Sequence, residues 1–283
     1  MSKEYKIWKI PKRRGGSRTI ESPNDELKAA QRESIGELQK KLKISPFAYA
    51  FQPYKSIALC AMAHVGKEWI GCIDVKDFFP SITIENFMEH SRTTDAIKTC
   101  GDSMNFEKDL RQHFHDFNDG KGCRLPQGAP GSPLLSNAYL LKADWRFAWL
   151  AYAKGVAYNR YADDLIFSGP NRDDIVKLIG VITSILKKDY DLKINKKKTK
   201  IMHRSRRQLV VGLCVNEKLN LKREYRKNLR ARKHQEMLKH GKYSLETKGM
   251  MAFEEMVRNN QKTTHSSIDI ISSIMIAKEL SGG

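Results

Sequence analysis

Two adjacent carboxylates set between two apolar strands constrain this chain more than any other stretch. Val156-Ala157-Tyr158-Asn159-Arg160 reads as one strand, and Leu165-Ile166-Phe167-Ser168 reads as another, closed by the breakers Gly169-Pro170. Tyr161-Ala162-Asp163-Asp164 lies between them, so the pattern predicts a hairpin with Asp163 and Asp164 at its tip. Such a pair loses hydration and repels itself unless a cation offsets it, and Mg²⁺ held by carboxylate oxygens is the usual partner. These four residues alone fit an ordinary Asp-rich turn equally well, so the rest of the chain must decide.

A second acidic element points the same way. Trp69-Ile70-Gly71-Cys72-Ile73-Asp74-Val75 is an apolar strand that delivers an aspartate near its end, and Lys76-Asp77-Phe78-Phe79-Pro80-Ser81-Ile82 turns from it into a helix. A buried carboxylate is costly alone, so Asp74 needs a metal, a cation or water. With that strand beside the hairpin, three carboxylates converge and can hold two Mg²⁺ ions roughly 3.5–4 Å apart, as two-metal nucleotidyl transfer requires. One ion lowers the pKa of an attacking hydroxyl, and the other braces the triphosphate and the leaving pyrophosphate.

Charge narrows the partner. The formal net charge is +19, which suits nucleic acid first and an anionic membrane surface second. The membrane reading weakens because no apolar run approaches the roughly 18 residues of a spanning helix. Nor does Met1-Ser2-Lys3-Glu4-Tyr5-Lys6 lead into a signal-like core. Cys60, Cys72, Cys100, Cys123 and Cys214 are scattered with no C-x-x-C spacing, as reduced residues of a cytoplasmic protein are. From Lys193 to Lys248 there are 19 Lys or Arg against 4 Glu, a net of +15. Within that span Lys222 to Lys239 reads as a basic helix, and Lys222, Arg223, Arg226, Lys227 and Arg230 are its candidate phosphate contacts. A merely solvated helix is the alternative, although so large an excess repels itself.

Other stretches predict elements and weaker sites. Ile7-Trp8-Lys9-Ile10-Pro11 and the segment through Ile20 flank a basic glycine-bearing turn, whose cations either close over a phosphate chain or face solvent. Ser22-Pro23-Asn24-Asp25 predicts a helix capped by Ser22 and running to about Leu42, with Leu27, Ile35, Leu38 and Leu42 on one face. The aromatic, proline-interrupted stretch from Ser45 to Ile57 suits either base stacking or packing under a helix. His64 reads as a hydrogen-bonded core histidine, while His113 and His115 suggest a metal only weakly. Arg124-Leu125-Pro126-Gln127-Gly128-Ala129-Pro130-Gly131-Ser132-Pro133 is rigid, and its glycines would let backbone lie close to a flat ligand. Ser132-Pro133 then predicts a helix, as cap and first position, burying Leu134, Ala138, Leu141, Trp145 and Trp149. Asn171 caps a further helix with Ile175, Leu178, Ile179, Ile182, Ile185 and Leu186 at core spacing, and Gln208 to Val215 is strand-like.

Taken in order, the basic hairpin with Lys12 and Arg18, Asp74-Val75-Lys76-Asp77-Phe78-Phe79, Pro126-Gln127-Gly128-Ala129-Pro130-Gly131-Ser132-Pro133, Tyr161-Ala162-Asp163-Asp164 and Leu192-Lys193-Ile194-Asn195-Lys196-Lys197-Lys198-Thr199 resemble a reverse transcriptase over roughly residues 6 to 215. The resemblance implies an α+β right-hand polymerase with fingers, an RRM/ferredoxin-like palm and a helical thumb. It assigns 1–73 and 90–123 to fingers, 74–89 and 124–215 to palm, and 216–283 to thumb. Asp74, Asp163 and Asp164 become the catalytic triad, holding two Mg²⁺ ions, or Mn²⁺ in their place, with the carbonyl of Val75 completing a coordination shell. Lys12 and Arg18 hold the dNTP triphosphate, Phe79 lies under the sugar and excludes a 2′-hydroxyl, Gln127 contacts nucleotide and template, and Lys198 lies near the phosphates as a proton donor to pyrophosphate. The Gln208 to Val215 hairpin grips the primer.

Within that family the chain is most similar to bacterial retron enzymes. The group's Asn-Ala-x-x-His signature stands here as Cys60-Ala61-Met62-Ala63-His64 and its Val-Thr-Gly triplet as Val210-Val211-Gly212, each short of one polar residue. The resemblance implies a structured non-coding RNA as template and primer, priming from a 2′-hydroxyl of an internal guanosine, an RNA–DNA hybrid, an msDNA product, and phage defence beside a separate effector protein. The alternatives are another bacterial reverse transcriptase, group II intron-like or a stand-alone defence enzyme, and, in a different class, a non-catalytic RNA-binding scaffold. Lack of room for a maturase or endonuclease domain speaks against the intron type, and the three carboxylates speak against the scaffold.

Overall fold

The structure, a computed structural model, describes residues 4–12, 15–93 and 103–261. Arg13 and Arg14 of the basic hairpin, Cys100, and the part of the expected thumb beyond residue 261 lie outside the described residues. In chain order the elements are β1 (Tyr5–Pro11), β2 (Ser17–Pro23), α1 (Asp25–Lys41), α2 (Ile57–Met62), β3 (Trp69–Asp74), α3 (Ile84–Thr93), α4 (Ser103–Arg111), β4 (His115–Asp116) and β5 (Cys123–Arg124). There follow α5 (Ser132–Tyr139), α6 (Leu141–Tyr152), β6 (Ala157–Tyr161), β7 (Asp164–Gly169), α7 (Arg172–Asp189), β8 (Lys200–His203), β9 (Leu209–Val210), β10 (Leu213–Cys214), α8 (Arg223–His240) and α9 (Leu245–Asn260). This is the expected α+β architecture, and every strand pairing among the described residues is antiparallel. Among the described residues no helix is long and apolar enough to cross a membrane.

The chain divides into two compact units. One comprises Met1–Phe51, Val75–Arg146 and Thr183–Ile194. Its β1–β2 hairpin pairs from Tyr5↔Pro23 to Pro11↔Ser17. Because Pro23 is held in that ladder, it cannot open a helix, and α1 starts two residues later than the sequence suggests. Asn24, not Ser22, is the cap, its Oδ1 accepting from Leu27 N at 2.8 Å. The inner face of α1 is also less apolar than expected. Leu38 and Leu42 are buried, Leu27 and Ile35 are half-buried, and Gln31 and Ser34 share the interior. Both side chains bond across the unit, where Gln31 Nε2 donates to Gln112 O at 2.8 Å and Ser34 Oγ lies 2.9 Å from His113 Nε2, while Gln31 Oε1 is buried with no hydrogen-bond partner.

Two expectations about the next helix fail. Ser132 is inside α5, and Gly131 occupies the cap position; the Ser132 hydroxyl instead donates to Pro126 O at 2.7 Å and ties down the preceding loop. The run from Leu134 to Trp149 is not one helix either. The chain leaves helical geometry at Leu140 (φ −90°, ψ 8°), which rotates the phase of α6. Its buried positions become Ala143, Asp144, Phe147, Ala148 and Ala151, leaving Trp149 49 % exposed.

The other unit comprises Gln52–Asp74, Phe147–Ile182 and Asn195–Gly283. Its centre is a four-stranded sheet in the order β6-β7-β3-β8. Ile70, Ile73, Leu165, Ile166 and Phe167 are essentially sealed from solvent, as are Ile175, Leu178 and Ile182 of α7. Gly71 sets the approach of α7, because a Cβ there would stand 2.6 Å from Ile175 Cγ2 and 3.0 Å from Ile179 Cδ1. Asn171 caps α7 as the sequence indicates, accepting from Asp173 N at 2.9 Å. His64 is the expected core histidine, with Nδ1 2.7 Å from Ser168 Oγ. Burial pushes its imidazole down to about 3. The strand-like run from Gln208 folds as a short β9–β10 hairpin, with Val211 (φ 42°) and Gly212 (φ 90°) in the turn. A positive φ at a β-branched residue is strained, and only the glycine accepts it freely.

Candidate active site

Strand register assembles the acidic site. In β3 and β7 the facing pairs run Trp69↔Gly169, Cys72↔Ile166 and finally Asp74↔Asp164. Directly opposed residues of an antiparallel pair project to the same face with Cβ atoms about 4.5–5.5 Å apart, so Asp74 and Asp164 share one face. Across the hairpin Tyr161 faces Asp164, which leaves Ala162 and Asp163 as a two-residue tip. Ala162 takes a left-handed conformation (φ 55°), and Arg160 Nη1 donates to its carbonyl at 3.1 Å. Arg160 is fully buried. A guanidinium inside the sheet therefore holds the turn that presents Asp163, a role that its place in an apolar strand pattern does not announce.

Electrostatics follows from this crowding. Burial, with the Asp163 and Asp74 carboxylates nearby, pushes the Asp164 carboxyl up to about 7, and the charges of Lys198 and Lys200 pull it back. Lys200 faces Cys72 across β8 and β3, two residues before Asp74 along the strand. Lys198 Nζ makes a 2.6 Å ion pair with Asp74 Oδ1. Its loop is rooted at the same aspartate, since Asn195 N donates to Asp74 O at 2.8 Å. Among the described residues no three His, Cys, Asp or Glu side chains stand in an arrangement that could hold a metal ion. Asp74 is turned to Lys198. The donor set nonetheless fits a hard divalent cation in its chemistry, because Asp74 and Asp164 face one another beside Asp163 and carboxylate oxygens are the ligands such a cation takes.

The remaining predicted site residues of the first unit are positioned as follows. Lys12 and Arg18 are exposed near the turn end of the β1–β2 ladder, where Lys12 N donates to Gly16 O at 2.9 Å. Phe79 opens a short 3-10 turn (Phe79–Ser81) and is half-buried, its ring 5.5 Å from that of the buried Phe78. Val75 is buried and bridges to Ile194. Gln127 is tied by its backbone to β2, with Glu21 N donating to Gln127 O at 2.9 Å and Gln127 N to Glu21 Oε2 at 3.2 Å. Glu21 is itself buried against Arg124 (3.1 Å), which also forks onto Asp119 at 2.8 and 2.9 Å. This relay fixes the Pro126 to Pro133 loop, and no local pattern announces its buried Glu21–Arg124 pair, whose members are remote in the chain.

That packing also gives the loop glycines a role within the protein. A Cβ on Gly128 would meet Glu21 O and Ile20 Cγ2 at 3.1 Å, and one on Gly131 would lie 2.1 Å from His113 Nδ1. The protein's own β2 and His113 occupy the space that these glycines leave. Burial pushes His113 down to about 4, and His115 packs its ring 4.3 Å from that of Tyr5, so both histidines are packing residues.

In the second unit, Arg223, Arg226, Lys227 and Arg230 of α8 are exposed and Lys222, just before the helix, is half-exposed. Leu229 is buried, and Tyr225 packs its ring 5.7 Å from Phe253 of α9. The cationic side chains are thus carried on a two-helix support. Gly241 (φ 62°) ends α8, and Glu236 accepts from Ser244 N at 2.8 Å to join the two helices.

Comparison with known proteins bears on this geometry. Residues 10–235 match the sequence profile of the family described as reverse transcriptase (RNA-dependent DNA polymerase). The chain belongs to the reverse transcriptases. It is also of the retron type. It is 35% identical over 235 residues to the Retron Ec86 reverse transcriptase of Escherichia coli, covering 81% of this chain and 69% of that protein. It is 37% identical over 243 residues to the Retron Mx65 reverse transcriptase of Myxococcus xanthus, covering 83% and 56% respectively. With the Retron Mx162 enzyme of the same organism the shared part is 47% of the relative's length, so this reverse transcriptase chain spans about half of the Myxococcus proteins it matches. Among solved structures, telomerase from Candida albicans in complex with a fragment of telomeric RNA aligns with a TM-score of 0.50 at 13% identity, over 83% of this chain and 50% of that one. Apo telomerase from Candida tropicalis, truncated from its C-terminal domain, aligns at 0.50 and 15%, over 77% and 55%. These two likenesses concern the fold.

Proposed function

We propose that this protein is an RNA-directed DNA polymerase that copies part of a structured non-coding RNA into single-stranded msDNA by nucleotidyl transfer. The observation that carries this reading is the Asp74↔Asp164 register beside Asp163, in a chain of the retron reverse transcriptase family. Asp74, Asp163 and Asp164, with the Val75 carbonyl, hold two Mg²⁺ ions or Mn²⁺. Bound there, such cations supply a lowered pKa at the attacking hydroxyl and charge compensation at the triphosphate. Lys12 and Arg18 bind the triphosphate of the dNTP, Phe79 excludes a ribose 2′-hydroxyl, and Gln127 orients nucleotide and template. Lys198 delivers a proton to the departing pyrophosphate. Lys222, Arg223, Arg226, Lys227 and Arg230 grip the phosphates of the RNA and of the RNA–DNA hybrid.

The fingers (1–73 and 90–123), palm (74–89 and 124–215) and thumb (216–283) are the divisions this reading implies. Synthesis starts from the 2′-hydroxyl of an internal guanosine, in the cytoplasm, and the product serves anti-phage defence with a separately encoded effector. Primer extension on the copurified RNA tests the chemistry. Asp163→Asn with Asp164→Asn should abolish dNTP incorporation while RNA binding persists. An active double variant would refute the metal assignment. Isolation of the protein from its host should yield RNA with DNA joined covalently to it, and nucleic acid of neither kind would count against the retron activity.

A further inference from the structure

Lys198 has a second role that the proton-donor reading does not include. Its Nζ lies 2.6 Å from Asp74 Oδ1, the carboxylate being 9% exposed and the lysine side chain 49%. The loop beneath it is bonded to the backbone of that same aspartate, for Asn195 N donates to Asp74 O at 2.8 Å, while Lys198 N and Thr199 N donate to Asn195 O at 3.0 and 3.1 Å. An ammonium is thus anchored within one side chain's length of a buried acid. A lone buried carboxylate is strongly disfavoured, so in the absence of metal the lysine supports the folded state.

We propose that Lys198 is a built-in competitor of the divalent cation at Asp74: its ammonium neutralises the carboxylate in the metal-free protein and must leave that oxygen for a metal ion to bind. This rests on the reading of Asp74 as a metal ligand. Displacement needs only rotation of the lysine stem, because the three backbone hydrogen bonds that root the loop do not involve the side chain. The half-exposed ammonium then swings toward solvent or toward an oxygen of a bound phosphate, still tethered and still carrying its proton. The lysine paired with Asp74 is thereby free to reach a bound phosphate only when metal has taken its place. Lys200 provides the internal comparison. Its charge also bears on Asp164, but it faces Cys72 across the ladder and its backbone is held in β8.

The test is a Mn²⁺ titration of the full chain without nucleotide or RNA, with free Mn²⁺ followed by electron paramagnetic resonance. An occupant formed about nine-tenths of the time weakens apparent affinity about tenfold, so Lys198→Gln should bind Mn²⁺ about tenfold more tightly than wild type. Lys200→Gln, which removes a charge but no occupant, should gain about twofold or less. Metal-free Lys198→Gln should also melt below wild type, and saturating Mn²⁺ should close that gap. If Lys198→Gln does not fold, Lys198→Met keeps the stem and replaces it in the titration. Equal gains for the Lys198 and Lys200 variants would overturn the competitor proposal while leaving the metal site standing. If Asp74→Asn and Asp163→Asn with Asp164→Asn bind Mn²⁺ as wild type does, the metal reading itself fails.

Discussion

Two hairpins of this chain carry charge near their tips, and they are built in opposite ways. The β6–β7 hairpin lies inside a four-stranded sheet, with Tyr158, Asn159, Arg160 and Leu165 to Gly169 buried along its arms. The β1–β2 hairpin is a two-stranded ladder whose first strand is exposed after Tyr5, and Gly15 (φ 88°) and Gly16 (φ 78°) lie in its turn. In the first, ladder register and a buried guanidinium fix where the negative charge stands. In the second, only the length and flexibility of Lys and Arg side chains decide how far the positive charge reaches. On the proposed reading this contrast has a use, for carboxylates that share an ion need positions good to a fraction of an ångström, whereas cations that follow a mobile triphosphate do not.

The largest effect should come from the acidic tip. Asp163→Asn with Asp164→Asn is expected to lower incorporation by on the order of 10³ or more in a primer-extension assay. The same residues make a stability prediction of definite sign. A carboxyl whose folded pKa is raised, here Asp164 from 3.8 to about 7, binds its proton better when folded. The metal-free protein therefore loses stability as pH climbs through that window. Asp164→Asn removes the loss, so metal-free melting at pH 8 should rise by roughly 1–2 kcal/mol after discounting for solvent screening.

Next comes the support beneath that tip. Arg160→Met leaves the Ala162 carbonyl without its guanidinium donor, and activity should fall about a hundredfold with a stability loss of roughly 2–4 kcal/mol in urea titrations. The exposed hairpin predicts the reverse pattern. Lys12→Ala or Arg18→Ala should raise the KM for dNTP about tenfold and leave unfolding unchanged within roughly 0.5 kcal/mol. A large stability loss in either would erase the contrast between the hairpins. The smallest effect belongs to α8, where neutralising Arg226, Lys227 and Arg230 together should weaken RNA binding without regard to sequence. The slope of log affinity against log salt should flatten by about one for each phosphate no longer neutralised.

What the sequence announces is what a local pattern can carry. The apolar runs Trp69 to Ile73 and Leu165 to Phe167 mark two buried strands, and an aspartate at the end of each leaves few ways to pair them. The helix from Arg172 is visible in its cap and its apolar spacing. The failures have a common cause, which is that a distant partner decides. Ser22 looks like a cap until Pro23 is seen paired with Tyr5, and Trp149 looks buried until Leu140 breaks the helical phase. Likewise the Glu21–Arg124 and Lys198–Asp74 pairs join residues whose own neighbourhoods give no hint of each other. Pattern finds elements and the acids at their ends, and tertiary packing chooses among caps, breaks and counter-ions.

Gly71 has a consequence beyond packing. With Ile175 and Ile179 lodged where its side chain would be, a methyl group at this position of β3 has no room unless α7 yields. Drift at residue 71 is therefore chained to residue 175: among relatives, alanine at the first should appear only alongside a trimmed side chain at the second, and a lineage that loses one without the other should carry a displaced helix behind its acidic strand.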